Sequence, residues 1–113
     1  MEIKDKLSIA EDFSDAPGAR YREDGDNSGQ EFLEDHLLPK FNLAVEGGYK
    51  LLVDIDGVWG FPSSFVSGSF GKLSLEKGAE LVLKHIEFKS DDSQTQLEDI
   101  ISEIEKPETD ARQ

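Results

Sequence analysis

Two aspartates, Asp54 and Asp56, follow the apolar run Leu51-Leu52-Val53 and precede Gly57. In an extended strand, residues i and i+2 point the same way, so both carboxylates would leave the strand end on one side. A carboxylate at that position can attack phosphorus. Farther on, Pro62, Ser63 and Ser64 stand at the expected start of a helix. A serine there either caps the helix or lies beside free amides that tolerate a phosphate well. Arg20, Arg22, Asp24 and Ser28 lie near the start of the first helix. They either hold an anion, such as a nucleotide phosphate, or simply pair with loop carboxylates, the commoner outcome for surface arginines.

Other chemistries are excluded by residue type or spacing. Cysteine is absent, which removes thiol nucleophiles, disulfides and most zinc sites together. His36 and His85 are far apart, with no metal-ligand spacing around either, so no metal site is expected. No glycine-rich phosphate loop of the P-loop or dinucleotide type is present, and no local serine–histidine pairing supports a triad. No cofactor is expected.

The elements that must position these residues are legible from periodicity. Lys6–Asp12 alternates at Leu7 and Ile9 and reads as a strand. The turn residues Asp15-Ala16-Pro17-Gly18 then allow Ala19–Arg22 to return as a hairpin partner. Ser28-Gly29-Gln30-Glu31 matches a capping box, and Leu33, Leu37, Phe41, Ala44 and Val45 share one face of the helix that follows. Pro39 predicts a kink, and Gly47-Gly48 an end. Tyr49–Asp56 reads as a central strand, Ser64–Leu75 as a glycine-containing helix with Val66, Phe70 and Leu73 inward, and the second half of Leu81–Phe88 as a strand. Asp91–Ile104 reads as the last helix, stopped by Pro107, with 106–113 as a disordered tail. The order β-β-α-β-α-β-α implies an α/β domain over residues 1–105, with a mixed, mostly parallel sheet of three or four strands and three helices.

The 113 residues carry a formal net charge of −13, unevenly spread. Glu11–Asp35 and Asp91–Gln113 hold the excess acids, while acids and lysines cancel elsewhere. A field of that sign repels phosphate backbones, which disfavours nucleic acid and favours a basic partner or plain solubility. No apolar run approaches a membrane span, and the N-terminus has no apolar signal core, so a cytoplasmic location is expected.

The Asp54-Ile55-Asp56-Gly57 segment resembles the first motif of haloacid-dehalogenase-type phosphatases. That resemblance implies a nucleophile at Asp54, a general acid at Asp56, magnesium nearby, and a later lysine and acidic pair at Lys84 and Asp91-Asp92. The motif usually opens its domain, whereas here it lies mid-chain with too little sequence after it for the remaining strands and a cap. The competing reading is structural: the two aspartates bind turn amides and close the strand.

A resemblance that spans about Ile9–Ile104 rests on three stretches: GARYREDGDNSGQEF, LLPKF and LLVDIDGVWGFPSSFVSGSFGKL. They resemble the STAS-like family of small bacterial domains of unknown function, which is similar in turn to the STAS domains of anti-anti-sigma factors and sulfate transporters. In anti-anti-sigma factors a strand, a turn and a helix expose a serine that a cognate kinase phosphorylates. That segment looks like Asp56–Phe65 here, with Ser64 at the phosphorylated position and Ser63 beside it. This chain has Pro62 and Phe65 where those factors have aspartate and glycine.

The function this implies is a non-enzymatic interaction module in signalling, acting as a monomer or weak dimer. It would dock on a protein partner, such as an ATP-binding serine kinase of the anti-sigma type. Trp59, Phe61, Phe65, Ser67 and Ser69 are the candidate docking residues, and Ser64 and Ser63 the candidate phosphorylation sites. The alternative is a small-ligand or nucleotide sensor using Arg20, Asp24 and Ser28, and a small phosphatase using Asp54 and Asp56 comes third.

Overall fold

Strand β1 (Ile3–Ser8) stops where a serine and two acids turn the chain. Ser8 Oγ accepts a hydrogen bond from the Glu11 amide at 3.1 Å, while Asp12 Oδ2 accepts from the Ser8 amide at 2.8 Å. These reciprocal bonds are those of a helix start, and Ile9–Asp12 forms a single helical turn. The strand expected over Lys6–Asp12 therefore lies farther upstream. The computed structural model describes residues 1–108.

The hairpin strand expected at Ala19–Arg22 does not form. The carbonyls of Ala19 and Arg20 instead accept from the amides of Gly29 and Gln30, at 2.8 and 2.9 Å. The segment thus satisfies two amides that a helix start leaves without partners. Ser28 takes a third, its Oγ accepting from the Glu31 amide at 3.0 Å.

Helix α1 (29–47) begins at that cap and consists of an α turn at Gly29–Phe32, a π turn at Leu33–Leu37 and an α segment at Leu38–Gly47. The Leu38 amide reaches back five residues to the Leu33 carbonyl. Pro39 explains the wide turn, because its ring lacks an amide and would collide with the carbonyl four residues back. The expected irregularity at Pro39 is thus absorbed as a π turn just before it. Gly48, at φ +68°, closes the helix in the left-handed conformation.

Strand β2 (Lys50–Asp54) is central and pairs in parallel with β1 and with β3 (Ile86–Lys89). Leu7, Val53 and Phe88 are in register, as are Lys6, Leu52 and Glu87 on the opposite face. The first row packs into or against the core, whereas Lys6 and Glu87 are exposed. Between β2 and β3 lie α2 (63–77), with a π turn at Ser67–Gly71, and α3 (Ala79–His85), divided by Gly78 at φ +90°. Helix α4 (Gln94–Glu105) follows β3, capped by Ser93. Apart from the single turns at Ile9–Asp12 and Arg22–Asp24, the described residues thus hold three parallel strands and four helices in the order β-α-β-α-α-β-α, an α/β fold with a strand number within the expected three or four and one helix more than expected.

Phe32 sits at the centre of an aromatic cluster, its ring 5.3 Å from Phe13, 5.7 Å from Phe65 and 6.0 Å from Phe70. Small residues let the helices meet there. A Cβ on Gly29 would lie 2.5 Å from the Phe65 carbonyl oxygen, and one on Gly68 would lie 2.7 Å from that of Arg20.

Candidate functional site

The carboxyl ends of β2 and β3 bring five charged residues together. Asp54 Oδ1 accepts from the Asp56 amide at 2.9 Å. Asp56 Oδ1 accepts from the amides of Asp91 and Asp92, at 2.8 and 2.9 Å, and its Oδ2 takes Lys89 Nζ at 2.8 Å. Lys89 also reaches Asp91 at 3.1 Å and approaches Asp54 at 4.0 Å. Burial alone would raise the Asp56 carboxyl, but Lys89 and the amides of Asp92 and Asp91 outweigh it and hold it below the usual carboxylate range. The hydrogen bonds from Lys89 to Asp56 and Asp91 hold its ammonium well above the usual lysine value.

A general acid must carry a proton, and Asp56 is instead held ionised with both oxygens engaged. The arrangement is a lock between two turns, in line with the structural reading of the motif. Lys84 is exposed on α3 and takes no part, and the lysine at the cluster is Lys89, which sequence reasoning missed. Among the described residues no group of three or more acids or histidines is placed to hold a metal ion.

The lock fixes the loop that follows it. The Gly57 amide donates to Asp92 Oδ2 at 2.9 Å, and the Trp59 amide donates to the Asp15 carbonyl at 2.8 Å. Between those ties the Trp59 side chain is 85% exposed. Phe61 is half-buried, its ring 6.1 Å from that of Phe65. Pro62 then occupies the N-cap position of α2, with no side chain capping the helix. Ser63 is exposed and Ser64 half-buried, and neither hydroxyl makes a hydrogen bond among the described residues. Neither serine serves as the helix cap.

Three of the expected docking residues cannot reach a partner. Phe65 and Ser69 are fully buried, and Ser67 is 7% exposed. Phe65 packs on Phe13 and Phe32, and Ser69, one turn later, lies on the same inward face with Val66, Phe70 and Leu73. Ser69 Oγ donates to the Phe65 carbonyl at 2.7 Å instead of facing outward. The exposed surface contracts to Trp59, part of Phe61, Ser63 and Ser64.

The expected ligand residues also separate. Ser28 is fully buried and spent on its cap, and Asp24 stands exposed on a 3-10 turn at Arg22–Asp24. Arg20 alone lines a groove of about 410 Å3, which runs between α1 and the middle of α2 past Leu33, Leu38, Ser67, Lys72 and Leu75. Its Nη2 pairs with Glu108 at 3.0 Å. Residues 106–108 of the expected tail thus include a contact with the domain, and 109–113 lie outside the described residues. His85 is buried with Nδ1 2.8 Å from the Tyr49 carbonyl, and His36 stacks on Phe32 and meets Phe13 edge-on, so both are packing residues.

No helix among the described residues is long and apolar enough to cross a membrane. Searches of curated proteins and of solved structures return no significant match. A family model does match, over residues 28–96, from the cap of α1 to the first turn of α4: STAS-like domain of unknown function (DUF4325). The matched span holds β2, β3 and the whole Trp59 loop, and the chain belongs to this STAS-like family.

Proposed function

We propose that this domain is a non-enzymatic regulatory module that docks on a signalling protein through the 57–62 loop and the first turn of α2. The observation that carries this reading is Trp59. A large aromatic side chain, 85% exposed, stands on a loop tied down at both Gly57 and Trp59 itself. An exposed aromatic on a preorganised loop loses little freedom on binding and makes a strong interface anchor.

Ser63 and Ser64 are the phosphorylation sites in this reading, and an ATP-binding serine kinase of the anti-sigma type is the partner that the family resemblance suggests. The exposed Ser63 hydroxyl at the first position of α2 supports it, because phosphate there meets unpaired amides and the positive end of the helix. The test is intact-mass spectrometry and peptide mapping after incubation with magnesium, ATP and lysate of the source cells. One phosphoryl group on Ser63 or Ser64, with partner capture lost in Trp59→Ala, supports the module. An unmodified mass in a lysate of confirmed kinase activity, with capture indifferent to Trp59, rejects it.

A second reading has one observation in its favour, the groove beside Arg20. Leucines line its walls, with Arg20 and Lys72 set among Glu34, Glu76 and Glu108, a composition suited to a small ligand with an apolar body and polar groups of mixed charge. Saturable binding of such a ligand, lost in Arg20→Ala, would favour a sensor.

A further inference from the structure

We infer that the partner of this domain presents a basic amphipathic segment, received in a second groove between the start of α2 and the outer face of α4. The inference rests on the docking reading and names the chemistry of its partner. The groove has a volume of about 330 Å3 and is lined by Phe61, Ser63, Val66, Asp99 and Glu103. Phe61 is also part of the 57–62 loop, so groove and loop are continuous.

The floor is apolar and the α4 wall is acidic. Asp99 makes no ion pair or hydrogen bond among the described residues, and Glu103 accepts only the Glu108 amide, at 2.8 Å. Glu103 is held in place, since its side chain lies across Gly71, where a Cβ would stand 2.5 Å from Oε2. Helix α4 carries Glu98, Asp99, Glu103 and Glu105 with no lysine or arginine.

The placement of these acids is unfavourable for the isolated domain. Glu103 and Glu105 occupy the last turn of α4, the negative end of the helix dipole, where carboxylates are disfavoured and cations favoured. A partner cation at Asp99 and Glu103 would relieve that repulsion while an adjacent apolar side chain fills the space over Phe61 and Val66. An acidic or wholly apolar segment would do neither. Ser63 lies on the rim of the same groove, so negative charge added there strengthens a basic partner instead of expelling it.

The experiment titrates the domain with a synthetic amphipathic helix of leucine, alanine and arginine, followed by the emission of Trp59, the single tryptophan. A peptide of equal length with glutamate for arginine is the control. Asp99→Asn/Glu103→Gln should weaken the arginine peptide by about fivefold or more, and Ser63→Asp should tighten it. Glu46→Gln/Glu80→Gln removes the same charge from surfaces outside both grooves and should leave affinity within about twofold. Circular dichroism confirms that each variant is folded.

Equal losses in both double variants would mean general charge attraction and overturn the inference. Binding of the glutamate peptide, or no binding of either, overturns it too. The two readings fail separately: partner capture that needs Trp59 but ignores Asp99 and Glu103 keeps the docking module and rejects the basic segment.

Discussion

Lys89 Nζ stands 2.8 Å from Asp56 Oδ2 and so joins the turn after β2 to the turn after β3. The same carboxylate takes two amides at the start of the α4 approach, and Asp92 returns a bond to Gly57. Asp56 is therefore the centre of a small network that holds the Trp59 loop from beneath. Removing it takes an acceptor from three donors, of which Lys89 alone keeps another, Asp91.

Asp56→Ala should destabilise the domain by about 1–2 kcal/mol, because the donors that lose their partner are close to solvent and water replaces it in part. Asp56→Asn keeps one acceptor oxygen and should cost less. Urea unfolding measures both. A change within error for Asp56→Ala would show that the network holds nothing in place.

The same network sets a pH dependence. Asp56 has its carboxyl lowered by folding, so its contribution is present above the ordinary aspartate value, about 3.9, and is lost as pH falls through its lower folded value. Lys89 is raised by folding, so its contribution is complete below the ordinary lysine value and is lost only at strongly alkaline pH. The stability gap between wild type and Asp56→Asn should be constant near neutrality and narrow below about pH 4. A gap that instead widens on acidification would contradict the assignment.

Gly29 and Gly68 let α1 and α2 touch through their backbones. Gly29→Ala adds about 1 kcal/mol of helix propensity but drives its methyl into the Phe65 carbonyl and the backbone of Gly68. Backbone cannot rotate away as a side chain can, so overpacking wins, and a net loss of about 1–3 kcal/mol is expected. Thermal unfolding decides it. An unchanged or raised midpoint would mean that the helices can separate freely at this contact.

What was legible in the sequence divides along the range of the interactions. Ser28 as a cap, Gly48 as a stop and the apolar stripe from Leu33 to Ala44 depend on neighbours within a turn, and they stand as read. Local propensity failed where distant backbone supplied the partner, as when Ala19 and Arg20 bonded to Gly29 and Gln30 instead of to a strand. Lys89 was missed because its place beside Asp56 depends on the register of β3 against β2, to which the motif itself gives no clue. The burial of Phe65 and Ser69 was missed because the width of a helix's inward face is set by what packs on it, here Phe13 and Phe32 from distant parts of the chain.

Trp59 offers the most direct check on the proposed surface, because it is the single tryptophan and reports without a label. Its side chain touches little of the core, so Trp59→Ala should change stability by less than about 0.5 kcal/mol. Its emission in the folded domain should lie near that of indole in water, and acrylamide should quench it about as well before unfolding in urea as after. Equal quenching would establish an aromatic anchor standing free in solution on a folded loop. Strong protection in the folded protein would mean that the indole is already covered, by the loop or by a second copy of the chain. Repeating the measurement over a range of concentrations separates those two, since only cover by another copy is lost on dilution.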